Sequence, residues 1–69
     1  MTNEEMQKLW KKCDAACGAV QALCDEAQTY KYDPMLNTDA GRDFWRGCFA
    51  ALGQMSLARL GLRELKDNN

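Results

Sequence analysis

Residues 44–65 read FWRGCFAALGQMSLARLGLREL, and the spacing of the apolar positions in this stretch decides the fold. Phe44, Cys48, Ala51, Met55, Ala58, Leu62 and Leu65 recur in steps of three and four, the spacing of a seam packed along another helix. Phe49, Gly53, Ser56, Leu57 and Leu60 also recur in helical steps but point away from the first set. A helix that is apolar on two opposed faces expects cover on both. This chain offers it one other helix, so the second face is expected to meet another molecule.

That other helix lies upstream. Thr2 followed by Glu5 matches a capping box, in which the hydroxyl accepts a backbone N–H and the carboxylate reaches back to the cap. Glu4 and Glu5 also suit the positive end of a helix dipole. Met6, Leu9, Cys13, Ala16, Val20, Leu23, Ala27 and Tyr30 then hold an unbroken heptad pattern, with Trp10, Cys17 and Cys24 widening the stripe along one edge. The remaining positions are polar or small, so the first helix is expected to be one-sided.

The pattern breaks at Tyr30-Lys31-Tyr32-Asp33-Pro34, because proline disfavours helix at Asp33 and cannot continue one itself. Asn37 or Thr38 offers the next N-cap, with Asp39 and Asp43 near the new positive end. The expected architecture is a single all-α domain: a helix over about 3–30, a loop over about 31–38 and a helix over about 39–66. So short a connection favours an antiparallel hairpin. That fold would bring Asp25 and Glu26 near Arg42 and Arg46, and Lys8, Lys11 and Lys12 near Glu64 and Asp67.

Sixty-nine residues form one small domain, which is marginal unless disulfides, a metal or a partner chain support it. A net charge of −1 gives no electrostatic case for DNA, RNA or anionic membranes. No apolar run approaches the roughly 20 residues a bilayer requires, and the acidic start is unlike a signal peptide. A cytoplasmic location is expected.

Cys13, Cys17, Cys24 and Cys48 include no Cys-x-x-Cys pair, and the chain has no histidine. Cys13 and Cys24 stand about 16 Å apart on a continuous helix, too far to share one zinc ion. Cys24 and Cys48 can face each other across the hairpin, which leaves a disulfide open under oxidising conditions; in a cytoplasm they serve as small buried hydrophobes. The acidic residues are explained by caps and surface charge. With no histidine and no phosphate-binding loop, no enzyme, metal or cofactor is expected.

Gly47, Gly53 and Gly61 each cost on the order of 1 kcal/mol inside a helix, so a benefit from close packing is expected, unless Gly61 ends the helix early. Two hairpins meeting through Phe49, Gly53, Leu57 and Leu60 would form a homodimeric four-helix bundle. Near the turn, Tyr30, Tyr32, Arg42 and Arg46 gather with Trp45, and these residue types are enriched at binding hot spots. Tyr30 and Trp45 also suit the end of the core.

In length and architecture the whole chain resembles the small helical inhibitor proteins encoded by bacterial viruses, among them the quorum-sensing anti-activators of Mu-like Pseudomonas phages. The resemblance implies a dimeric helical protein that binds a host protein, such as a LuxR-type transcription activator or a type IV pilus assembly ATPase, and switches it off. It assigns no individual residue. A structural or adaptor subunit docking through the apolar face of the second helix is the alternative.

Overall fold

A computed structural model describes residues 1–68 of the chain. Two helices, α1 (Asn3–Gln28) and α2 (Asp39–Asp67), lie antiparallel, joined through a 3-10 turn at Pro34–Leu36. The capping box forms as expected: Glu5 N–H donates to Thr2 Oγ1 at 3.1 Å, and Thr2 N–H donates to Glu5 Oε1 at 2.9 Å. The backbone hydrogen bond from Thr2 holds the Glu5 carboxyl below its ordinary pKa.

α1 ends at Gln28, two residues before the expected Tyr30. Thr29 folds its hydroxyl back onto the Glu26 carbonyl at 2.6 Å, and tight turns carry the chain to Asp33. The Asp33 carboxylate then accepts Met35 N–H at 2.8 Å, which starts the 3-10 turn at Pro34. Thr38 caps α2 by accepting Gly41 N–H at 3.0 Å. Gly61 does not end α2, which runs on to Asp67.

Gly41 is required by packing. A Cβ built there would lie 1.9 Å from the Leu36 carbonyl oxygen, so the turn can rest on α2 only because that position has no side chain. Gly47, Gly53 and Gly61 are different: a Cβ at each would meet nothing within 4 Å. The close packing expected of them does not occur within the chain.

The seam differs from the expected one by one row on each helix. On α1 the covered residues are Met6, Trp10, Cys13, Cys17, Val20, Cys24 and Ala27; on α2 they are Gly41, Trp45, Cys48, Leu52, Met55, Leu62 and Lys66. The α1 set keeps the three-four spacing throughout, and the α2 set keeps it except at Arg59, which is exposed. Leu9, Leu23 and Tyr30, expected in the seam, are exposed, and so are Phe44 and Leu65. α1 is therefore not one-sided. Small residues in the seam let the backbones approach closely: Cys17 Sγ donates to the Met55 carbonyl at 3.2 Å, and Cys24 Sγ to that of Cys48 at 3.4 Å. Burial raises the pKa of Cys24, with Cys48 adding to the shift.

The result is a rod of 49 × 14 × 14 Å. Its radius of gyration is 15.6 Å, against about 11 Å for a compact domain of this length. Among the described residues the buried hydrophobic ones are Met6, Cys17, Cys24, Ala27 and Cys48, so no aromatic or leucine side chain belongs to the deep core.

Candidate interaction surfaces

Three surfaces remain on this rod. The first is the outer face of α2. Phe49, Leu57 and Leu60 are 40 %, 64 % and 52 % exposed, and Gly53 lies open between them. This face is free, as the apolar pattern required. Phe49 is the most constrained member: its ring stacks on Trp45 with centroids 5.5 Å apart and planes within 6°. That stack draws Phe49 toward the groove where Trp45 meets Gln28 and Lys31. Trp45 is half-buried, so it completes the seam as expected.

The second surface surrounds the turn. Tyr32 and Arg42 share a shallow hollow of about 310 Å3 with Lys31 and Trp45. Tyr32 is 88 % exposed, with Lys31 Nζ 5.6 Å from its ring centroid. Arg42 pairs with Asp39 one turn before it on α2. It does not reach Asp25 or Glu26, and neither does Arg46, which is exposed. Tyr30 stands apart from this group. It lies on the opposite side of the hairpin, half exposed, so it neither finishes the core nor joins Tyr32 and Arg42.

The third surface was not legible as such in the sequence. Leu23, Ala27, Tyr30, Met35, Leu36 and Phe44 wall a groove of about 530 Å3 whose lining is mostly apolar. Leu23 and Phe44 read as seam residues, and the structure turns them outward. The signal was present in the sequence as a second apolar row beside the seam row on each helix.

Two charge contacts join the helices away from the turn. Arg59 Nη1 meets Asp14 Oδ1 at 3.3 Å, and Lys66 Nζ sits 5.4 Å from the Trp10 ring centroid. Lys8, Lys11 and Lys12 form no ion pair with Glu64 or Asp67 among the described residues.

All four cysteines are free thiols. Burial pushes the pKa of Cys13 upward, with neighbouring Cys17 second among the causes. Neutral thiols donating to carbonyls in a seam are poorly suited to metal binding or nucleophilic attack. Among the described residues no cluster of three or more His, Cys, Asp or Glu side chains could hold a metal ion. No described helix is long and apolar enough to cross a membrane. No family model, curated protein or solved structure was found to match the chain.

Proposed function

We propose that this chain is a non-catalytic protein-binding inhibitor, of phage origin, that acts as a homodimer and inactivates a host protein such as a LuxR-type quorum-sensing transcription activator. One observation carries the reading: the large hydrophobic side chains lie mostly outside. Leu9, Leu23, Phe44, Phe49, Leu57, Leu60 and Leu65 are all at least 39 % exposed, while the deep core holds nothing larger than methionine. Exposed apolar faces of this kind mark association sites. The phage origin and the class of host target rest on the resemblance in length and architecture.

Co-expression with a LuxR-type activator tests the proposal. The expected result is a stoichiometric complex on gel filtration and loss of activator-dependent reporter expression. Tyr32→Ala or Arg46→Ala should weaken the complex while circular dichroism stays helical. An activator that elutes alone and keeps its reporter output rejects this target. The second reading, an adaptor subunit docking through α2, is favoured by the exposure of Leu57 and Leu60. It predicts that the chain aggregates when made alone.

A further inference from the structure

Beside the seam, each helix carries an apolar row that its own chain leaves open. On α1 the row is Leu9, Ala16 and Leu23, with Tyr30 following just past the helix end; on α2 it is Phe44, Ala51, Ala58 and Leu65. Leu23, Tyr30 and Phe44 line the same groove, so both rows lie on one side of the hairpin. Each repeats every seven residues along most of the rod. An edge row flanks each of them: Lys12, Ala19 and Glu26 on α1, and Gly47, Gln54 and Gly61 on α2.

We propose that a second copy of this chain covers this face, turned end for end, about a two-fold axis that crosses the helices at the level of Ala19 and Gln54. The proposal deepens the association reading by assigning the dimer to one face, which leaves the outer face of α2 free for a different protein.

Surface area argues for an occupant of this size. The chain exposes 5412 Å2, roughly 1,000 Å2 more than expected for a folded monomer of its mass. A standard interface takes about 800 Å2 from each partner. A helix pair of the same length and heptad repeat is what the face can accept along its whole length, and the chain itself is such a pair.

Charge and shape select the end-for-end arrangement. Cys17 lies opposite Met55 and Cys24 opposite Cys48, so Ala19 and Gln54 are nearly level. A two-fold axis there sets Lys12 against Glu26 of the partner subunit, and the reverse pair forms by symmetry. It sets Gly47 against Gly61 of the partner subunit, where the open space at both glycines lets two backbones approach. Ala51 meets Ala58 of the partner subunit, and Phe44 meets Leu65 of the partner subunit. With the turns side by side instead, Lys12 would face a glycine and Glu26 would gain no cation. Glu5, on the same edge, is held in its own capping box and lies beyond the end of the partner's α1.

Sedimentation, cross-linking and charge reversal test the proposal together. The full-length chain at micromolar concentration should sediment at about twice 7.8 kDa. On mild oxidation Ala19→Cys should give a covalent dimer, because the position meets its own copy, whereas the wild type and Gly53→Cys should not. Lys12→Glu should raise the dissociation constant roughly tenfold, and Lys12→Glu with Glu26→Lys should restore it. A monomer overturns the proposal. So does cross-linking through Gly53→Cys in place of Ala19→Cys, which would put the dimer on the outer face of α2. Failure of the double charge swap to rescue overturns the end-for-end arrangement. A dimer that binds no host protein would reject the inhibitor reading and leave this proposal standing; a monomer that still binds one would do the opposite.

Discussion

The two ends of the hairpin are closed by different means. Near the turn, Cys24, Ala27, Gly41 and Cys48 are buried, and the helices meet through small side chains. Toward the termini, Trp10, Leu62 and Lys66 are only half covered, Arg59 is exposed, and Met6 alone is buried. Small residues let two backbones approach until almost no surface is left to cover. Large or charged residues hold them apart and rely on their own stems and rings, as Lys66 does over Trp10. Both ends are helical, so the difference lies in side-chain volume at the contact. The turn end is rigidly packed, and the terminal end tolerates change.

The largest effect should come where the tight end meets the turn. Gly41→Ala forces a Cβ into the Leu36 carbonyl, and neither backbone has a flexible side chain that could yield. A loss of about 3 kcal/mol in chemical denaturation is expected from such overpacking. A near-neutral result would mean that the turn does not rest on α2.

Cys24→Leu and Leu62→Ala then compare the two halves directly. Adding volume at Cys24, which is 1 % exposed, should cost about 2 kcal/mol. Removing the half-covered Leu62 side chain should cost about 1 kcal/mol, because only part of it is withdrawn from water on folding. The reverse order would break the distinction between a tight and a loose end.

Smaller still is Lys66→Ala. A half-covered cation over an aromatic ring contributes about 0.5 kcal/mol, and high salt should leave most of that loss unchanged.

The final prediction concerns pH. Cys24 and Cys13 have pKa values raised in the folded state, chiefly by burial. The folded chain then holds thiol protons that the unfolded chain releases. Their contribution is intact below the ordinary thiol pKa of about 8.5 and is lost as pH rises above it. The melting temperature should fall on the alkaline side, and less so in Cys24→Ala. A flat alkaline profile would mean that the tight end admits water.

Much of the architecture was legible in residue order. Thr2 with Glu5 marked the first cap, Thr38 was one of two candidates for the second, and Pro34 placed the turn. The exposed outer face of α2 was legible too, since Phe49, Leu57 and Leu60 sit too far around the helix from Met55 and Leu62 to share one partner. The grouping of Tyr30 with Tyr32 and Arg42 was not, because two residues beyond a helix end the chain direction depends on turn geometry. The requirement at Gly41 was also hidden, since the carbonyl that excludes a side chain there belongs to the turn.

The sequence alone determined that two helices form, where they start, roughly where they stop, and that they hold more apolar surface than a pair can cover. Periodicity, caps and proline act locally, so they can be read locally. Only the tertiary structure decided which heptad row became the seam. Leu9 and Trp10, or Phe44 and Trp45, are equally good hydrophobes at neighbouring angles, and hydrophobicity does not choose between them. The choice fell to close packing across the helix pair, where Cys24 opposite Cys48 and Gly41 beneath the turn bring the backbones together and leave Leu9, Leu23, Phe44 and Leu65 outside.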